Sequence, residues 1–173
     1  MKISVVTVTF NSEKTVEDTI KSVLCQEYKD YEYLVVDGGS KDGTVDIIKR
    51  YEKEFEKLRT ECLEKGGPIP SFRWISERDK GMYDGINKGI RMATGDVVGI
   101  INSDDFYHRT DIFTKIAEAF ADGSEAIYGD VRFVNPDNLE KTVRYYSSKN
   151  WAPWRFRFGF ANVVWNLRFG TAC

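Results

Sequence analysis

Cysteine and histidine, which build many catalytic and metal sites, are scarce in this sequence: it has three cysteines and one histidine in 173 residues. The odd cysteine count and the spacing of Cys25, Cys62 and Cys173 give no disulfide framework and no zinc motif. The single histidine, His108, argues against a Ser-His-Asp triad and a histidine-based zinc site. Unpaired cysteines fit a reducing compartment, so we expect a cytoplasmic protein.

Long hydrophobic runs and the common phosphate-binding fingerprints are also missing. No apolar stretch approaches the roughly 20 residues that cross a bilayer, and residues 1–10 lack the features of a signal peptide. No G-x-G-x-x-G follows the first apolar run, and no P-loop motif occurs. The net charge of −2 predicts no general affinity for nucleic acid, so an anionic ligand would need a metal ion or a few placed cations.

Segments of strand type alternate with segments of helical periodicity, which predicts one α/β domain with a mostly parallel sheet. Strands are predicted at 3–10, 31–37, 71–76 and 96–101, and two more at 125–134 and 141–147 around a turn at 135–138. Helices are predicted from apolar residues at 16–24, 45–55, 82–93 and 112–121. Residues 59–71 contain two glycines and two prolines and predict a loop or insertion.

Polar side chains follow four successive predicted strands, at the point where each strand ends. They are Thr9 and Asn11, then Asp37, then Ser76, Glu77 and Asp79, and then Asn102, Asp104 and Asp105. Ligands of parallel sheets bind beyond the carboxyl ends of the strands. One such cluster means little, but four in a row predict a functional site at this edge of the sheet.

The stretch GIINSDDFY, residues 99–107, places Asp104 and Asp105 directly after an apolar run. A divalent cation held by one or two carboxylates keeps open positions for phosphate oxygens, and it would make the adjacent charges tolerable. The alternative is that one of the two aspartates caps the following helix. Their position after a buried strand favours the metal.

Two further stretches, YLVVDGGSKDG and SERDKGMYDGINKGI, carry candidate binding residues. Asp37 can accept a hydrogen bond from a nucleobase N–H, or it can belong to a plain turn whose Ser40 or Asp42 caps the next helix. The second stretch contains Asp79, Lys80, Asp84, Asn87 and Lys88, the last three on one helical face opposite an apolar stripe of Met82, Ile86 and Ile90. That face fits a phosphate-binding helix start or a solvated charged surface.

With these residues assembled, the chain resembles the family 2 glycosyltransferases, especially small bacterial members that build surface polysaccharides. The resemblance rests on ISVVTVTFNSEKTVEDTIKSVLCQ, YEYLVVDGGSKDGTVDII, SERDKGMYDGINKGIRMATGDVVGIINSDD and AIYGDV, in that order. It implies a GT-A fold, a three-layer α/β sandwich with a mostly parallel sheet, over residues 1–147. It also implies inverting, metal-dependent transfer from a nucleotide-diphosphate sugar, by family habit a UDP-sugar, to a glycan or lipid-linked acceptor.

The resemblance also assigns roles to single residues. Thr9, Asn11 and Asp37 would form the nucleotide pocket, with Asp37 on the base, and Asp79, Lys80, Asp84, Asn87 and Lys88 would line the diphosphate and sugar. Asn102 and Ser103 occupy the start of the family's D-x-D motif, with Asn102 in place of its first aspartate. Asp104 would contact Mg²⁺ or Mn²⁺, and Asp105 would lie beside it near the donor.

The C-terminal part departs from the family, whose members continue further and carry their catalytic aspartate in an acceptor segment that this chain does not show. Asp105 and, more weakly, Asp130 of the YGD stretch are the remaining catalytic candidates; Asp130 can equally be a turn residue. Residues 148–173 form an aromatic and basic tail, which can fold over its own sheet, form a homodimer interface or contact the inner membrane surface. The rival functions are a non-catalytic donor-binding remnant and an assembly module that acts through this tail.

Overall fold

The computed structural model describes residues 1–121, 123–135, 138–150 and 163–166 of the chain. The strands are β1 (Ile3–Thr9), β2 (Tyr31–Asp37), β3 (Ser71–Ser76), β4 (Val97–Ile100), β5 (Ala126–Tyr128), β6 (Val131–Asn135), β7 (Asn138–Tyr146) and β8 (Val163–Asn166). The helices are α1 (Val16–Leu24), α2 (Thr44–Glu64), α3 (Met82–Met92) and α4 (Ile112–Ala121), with a 3₁₀ turn at Ser148–Asn150. Within these ranges no helix has both the length and the apolar character of a membrane span.

The main sheet has six strands in the order β3-β2-β1-β4-β8-β5. Its first four strands are parallel, as predicted, whereas β8 runs antiparallel to both β4 and β5. Strand β8 comes from the aromatic and basic tail, so four residues of that tail belong to the sheet. The rest of the tail beyond the 3₁₀ turn lies outside the described residues, and the division of the chain at residue 147 stays a prediction.

Helices cover both faces of the parallel strands, which gives the three layers. Val5, Tyr33 and Val97 belong to a large apolar core with residues of α1, α2 and α4. Val6, Leu34 and Val98, one position along each strand, form a smaller core that includes Met92 of α3. Successive side chains of a strand point to opposite faces, so α3 lies on the face opposite the other three helices. All seven residues of β2 are buried, as expected for a strand covered on both sides.

Helix α3 meets the sheet through glycine rather than through its apolar stripe. A Cβ atom on Gly89 would lie 2.2 Å from Cγ1 of Val6, and one on Gly85 would lie 2.6 Å from Cγ1 of Val8. The helix therefore lies too close to β1 for any side chain at these two positions. The stripe that predicts the helix faces outward in part, since Met82 is 51% exposed and Ile90 is 36% exposed.

Two sequence-based boundaries are wrong. Helix α2 continues to Glu64, so residues 59–64 are helical rather than part of a loop; Cys62 packs inward there, and the glycines and prolines begin only at Gly66. The strand predicted at 125–134 is two strands, β5 and β6, which belong to different sheets. Strand β6 pairs only with β7 among the described strands, and the turn predicted between them includes residues 136 and 137, which lie outside the described residues.

At the other end of the parallel strands, where they begin, a buried carboxylate links neighbouring segments by hydrogen bonds. Glu32 is 1% exposed, and its oxygens accept hydrogen bonds from Ser4 Oγ at 2.6 Å, Gly95 N at 3.1 Å and Arg73 Nη2 at 2.8 Å. The backbone N–H of Thr94 donates to it as well. Burial opposes ionisation of Glu32, but hydrogen bonds, those from Ser4 and Thr94 first, outweigh burial and lower its pKa to about 2.

Candidate functional site

Hydrogen bonds join the loops that follow β1, β2 and β4 at the carboxyl edge of the sheet. Asn11, in the left-handed region with φ of 50°, donates its N–H to Ser40 Oγ at 2.8 Å, and its side-chain oxygen accepts from Lys41 N at 2.9 Å. Ser12 Oγ lies 3.0 Å from Ser103 Oγ. The polar clusters that follow these strands in the sequence therefore lie together in the fold.

Asp37 organises the loop after β2. It is fully buried, and one carboxylate oxygen accepts from Gly39 N at 3.1 Å, Ser40 N at 2.9 Å and Ser76 Oγ at 2.6 Å. The other oxygen accepts from Ser40 Oγ. Donors of the protein therefore engage both oxygens, three of them on one oxygen and one on the other. Base recognition by Asp37 stays a prediction.

Helix α3 fixes the loop that follows β3. The backbone N–H of Lys80 donates to Asp84 Oδ2 at 3.2 Å, a hydrogen bond that lowers the pKa of Asp84. Lys88 Nζ lies 2.9 Å from Glu77 Oε1 and donates to the carbonyl oxygen of Arg78 at 3.3 Å. The contacts of Asp84 and Lys88 thus hold residues 77–80 in place.

Asp79 packs against the loop after β2 because residue 38 is a glycine. A Cβ atom on Gly38 would lie 2.7 Å from Asp79 Oδ2, so any larger residue would push this carboxylate away. Asp79 therefore occupies the space beside Gly38, and its other oxygen accepts from Gly81 N at 2.9 Å.

A cavity of about 650 Å³, the rim cavity, opens where the loops after β1, β2, β3 and β4 meet. Five predicted site residues line it: Thr9, Asp79, Asn102, Ser103 and Asp104. Asn11, Asp37, Lys80, Asp84, Asn87 and Lys88 are not among its lining residues. Four further residues line the cavity that were not predicted as site residues: Phe10, Ser12, Arg78 and Met82. Arg78 carried a signal, since it stands between two predicted residues in SERDKG.

The hydroxyl of Thr9 is buried beside the rim cavity without a hydrogen bond to any described residue. Thr9 is 2% exposed, and its Oγ1 is buried with no hydrogen-bond partner among the described residues. Burying an unpaired hydroxyl costs about 1–3 kcal/mol. Because Thr9 lines the rim cavity, a bound polar group can remove that cost.

A second cavity of about 640 Å³, the hairpin cleft, lies between the loop after β4 and the hairpin of β6 and β7. Asp104, Asp105 and His108 line it from the loop, and Asp130 and Arg132 line it from the hairpin side. Asp104 thus lines both cavities. Its carboxylate is exposed and has no hydrogen-bond or ion-pair partner within the described part of the chain.

Asp105 and Asp130 differ as proton acceptors. Burial raises the pKa of Asp105, and the hydrogen bond from Asn102 Nδ2 at 3.1 Å opposes this rise. Asp130 accepts from Ser148 N at 2.6 Å, Ser148 Oγ at 2.7 Å and the hydroxyl of Tyr145, and these bonds lower its pKa to about 2. A carboxylate so acidic is a poor base near neutral pH, which makes Asp130 the weaker candidate of the two.

The helix-capping alternative for the acidic pair is wrong, because α4 begins only at Ile112. Among the described residues no three histidine, cysteine or acidic side chains cluster around a common metal position. Mg²⁺ commonly takes one or two carboxylates and completes its shell with water and substrate phosphates. An exposed, unpartnered Asp104 at the edge of two cavities fits that mode of binding.

A row of polar residues on α1 and just beyond it positions the loop that carries these carboxylates. Thr19 Oγ1 donates to the carbonyl oxygen of Asp105 at 2.7 Å, and Ser22 Oγ accepts from Tyr107 N at 3.1 Å. Gln26, fully buried, donates to the carbonyl oxygen of Arg109 at 2.7 Å and accepts from Phe113 N at 3.1 Å. Thr19, Ser22 and Gln26 are spaced i, i+3 and i+7, as on one helical face. This spacing is the sequence signal that could have identified them.

Replacing Thr19 by valine should loosen this loop. The variant loses a hydroxyl that donates to the carbonyl oxygen of Asp105 and, at 3.4 Å, to that of Asn102, so we expect unfolding in urea to show a loss of about 1–2 kcal/mol. Trypsin should also cleave after Arg109 several-fold faster. Thr19→Ser keeps the hydroxyl and should behave like the wild type, as should Thr60→Val, which removes only an exposed bond within α2. Equal cleavage of Thr19→Val and wild type would contradict the positioning role.

Comparison with known proteins shows the family of this chain. The sequence profile described as glycosyl transferase family 2 matches residues 4–173. A glycosyltransferase of Mycobacterium tuberculosis is 32% identical over 185 aligned residues, covering 98% of this chain and 64% of its own length. TuaG of Bacillus subtilis, a glycosyltransferase named for teichuronic acid biosynthesis, is 34% identical over 60% of this chain and 36% of its own length. The chain thus spans less than two thirds of the length of these relatives.

A solved structure supports the fold. The mannosyltransferase PcManGT of Pyrobaculum calidifontis, determined with GDP-Man and Mn²⁺, superposes with a TM-score of 0.63 at 22% identity, covering 80% of this chain and 37% of its own. At this identity the likeness bears on architecture alone, and it confirms the predicted GT-A fold.

Proposed function

Because the chain belongs to glycosyl transferase family 2, we propose that it binds a nucleotide-diphosphate sugar in the rim cavity and transfers the sugar to a glycan or lipid-linked acceptor in the hairpin cleft. One observation carries the proposal: Asp104, an exposed carboxylate without a partner among the described residues, lines both cavities. A group at that junction can act on the bond between leaving diphosphate and transferred sugar.

The rim cavity suits the donor. Arg78 lines it and has no ion-pair partner within the described residues, so its guanidinium is available to an anionic group such as a diphosphate. Asp104 would hold Mg²⁺ or Mn²⁺. A bound ion would supply Lewis-acid stabilisation of the negative charge on the leaving diphosphate.

The hairpin cleft would supply the group that accepts the proton of the acceptor hydroxyl. We propose that an acceptor hydroxyl attacks the anomeric carbon from the side opposite the diphosphate, which inverts the configuration there. The bond from carbon to the diphosphate oxygen breaks, and the hydroxyl proton passes to the carboxylate of Asp105. The half-buried position of Asp105 in the cleft supports this role, whereas Asp130, which Ser148 and Tyr145 already engage, is the weaker candidate.

The nucleotide is proposed to be UDP, although the mannosyltransferase of similar fold carries a GDP-sugar. The test is thermal unfolding of the protein with UDP, GDP and their sugars, each with and without Mn²⁺. A ligand at about 100 times its Kd stabilises the folded state by about 2.7 kcal/mol, which raises the melting temperature. A shift that needs both nucleotide and Mn²⁺ supports the proposal, and the absence of a shift with every nucleotide contradicts it.

A paired substitution on β1 tests whether Thr9 contacts the nucleotide. Thr9→Val removes an unpaired buried hydroxyl, so the free protein should gain about 1 kcal/mol while nucleotide binding weakens by about tenfold. Thr7, two residues earlier, accepts a hydrogen bond from Tyr33 at 2.9 Å. Thr7→Val should therefore destabilise the free protein and leave nucleotide affinity unchanged. Urea unfolding and calorimetric titration measure both effects; unchanged affinity in Thr9→Val would remove Thr9 from the site.

A donor-binding protein without transfer activity is the second candidate, since residues of and after β1 to β4 line the rim cavity without the hairpin and could bind a donor by themselves. Release of nucleotide from a donor sugar, followed by chromatography with and without added glycan acceptors, separates the two functions. Binding without turnover favours the donor-binding protein.

A further inference from the structure

The arginines of the described residues differ in whether a carboxylate neutralises them. Four make ion pairs with carboxylates: Arg50, Arg59, Arg73 and Arg109. Arg132 has no carboxylate within ion-pairing distance among the described residues, yet it lines the hairpin cleft together with Asp104 and Asp105. An unpaired guanidinium in a cavity next to reactive carboxylates is suited to a ligand rather than to a structural partner.

The cleft is lined by the carboxylates of Asp104, Asp105, Asp130 and Glu140, and none of them lies within ion-pairing distance of Arg132. Asp105 accepts a hydrogen bond from Asn102, and Asp130 is engaged by Ser148 and Tyr145. Asp104 is the residue assigned to the metal ion. The positive charge of Arg132 therefore remains available at the hairpin wall, opposite the acidic loop.

His108 lines the same cleft and adds a neutral polar group. Burial lowers its pKa, and the positive charges of Arg132 and Arg109 lower it further. A neutral imidazole can donate one hydrogen bond and accept another without adding charge. Arg132 and His108 thus give the cleft a guanidinium group and a neutral imidazole.

We propose that Arg132, assisted by His108, binds an anionic group carried by the acceptor, a phosphate or a carboxylate attached to a sugar. The proposal rests on the proposed function, because it takes the hairpin cleft as the acceptor site. The planar guanidinium matches the oxygens of phosphate and carboxylate with two parallel hydrogen bonds. A group held there places the rest of the same molecule towards Asp104 and Asp105.

The experiment titrates small probes into the protein with UDP and Mn²⁺ present, followed by NMR. The probes are glucose, glucose 6-phosphate, glucuronic acid and inorganic phosphate. We expect at least one anionic sugar to bind about tenfold more tightly than glucose; the phosphate and carboxylate arms show which anion is preferred. Similar binding of glucose and both anionic sugars overturns the proposal, as does inorganic phosphate binding as tightly as the sugar phosphate.

Two arginine variants assign the effect to the cleft. Arg132→Gln should abolish the preference for the anionic sugar, while Arg91→Gln should keep it, since Arg91 is an exposed arginine of α3 that does not line the cleft. Equal losses in both variants overturn the proposal. The thermal shift with UDP, GDP and Mn²⁺, measured on the same samples, should be unchanged in Arg132→Gln. If no nucleotide binds while the arginine-dependent preference persists, the proposed function fails and the anionic-sugar site stands.

Discussion

Replacing Asp104 by asparagine will remove the metal-dependent part of donor binding and lower donor turnover by at least about 100-fold. The substitution keeps the size of the side chain but removes the charge that a divalent cation needs. Loss of Lewis-acid stabilisation is worth several kcal/mol in the transition state, and each 1.36 kcal/mol is a factor of about ten in rate. Thermal unfolding with Mn²⁺ and nucleotide, together with nucleotide release, measures both effects.

The stability of the free protein distinguishes this result from a folding defect. Asp104 is exposed and has no partner within the described residues, so Asp104→Asn should unfold in urea at the wild-type midpoint. Asp46→Asn is the matched control, because Asp46 is an exposed aspartate in the first turn of α2. It should retain full metal-dependent binding. A wild-type response in Asp104→Asn would remove this residue from the metal site.

Replacing Glu32 by glutamine will cost about 3 kcal/mol of unfolding free energy at pH 7. Its pKa is about 2 in the folded protein against an ordinary value of 4.5. A carboxyl group whose pKa falls on folding stabilises the protein above the unfolded pKa, and a tenfold change in its acidity corresponds to about 1.36 kcal/mol. That contribution is complete above about pH 5 and disappears as the pH falls from about 4.5 to 2.

Urea unfolding at several pH values between about 7 and 3 measures the effect. The wild type should lose stability steeply over the acid range, and Glu32→Gln should start lower and fall less, because it no longer titrates there. Glu54→Gln, which breaks only an exposed ion pair with Lys57, should change stability by less than about 0.5 kcal/mol. Parallel acid profiles of wild type and Glu32→Gln would contradict the assignment.

The sequence was sufficient for the parallel arrangement of β1 to β4 and for the meeting of the loops that follow these strands. Apolar runs of strand type alternating with helices left few topologies other than a parallel sheet. In such a sheet the residues that end successive strands must meet, and the loops of Asn11, Ser40 and Ser103 do so. These features depend on local patterns, which is why they could be read from the residues alone.

The details that escaped prediction depend on contacts between distant parts of the chain. Thr19 bonds a carbonyl 86 positions away, and the hydroxyl of Ser76 fills an acceptor on Asp37 39 positions before it. The packing of Gly85 and Gly89 of α3 against β1 was not predicted, because the apolar stripe of this helix gave the stronger periodic signal. Asp130 resembled a turn residue, and its engagement with Ser148 follows from the fold of the hairpin.

The most direct test is a crystal structure of the protein soaked with a UDP-sugar and Mn²⁺, with the metal located by its anomalous signal. The account predicts one manganese ion at Asp104 and the diphosphate beside it in the rim cavity. Manganese and nucleotide bound elsewhere, or absent from this cavity at saturating concentrations in solution and crystal, would contradict the account.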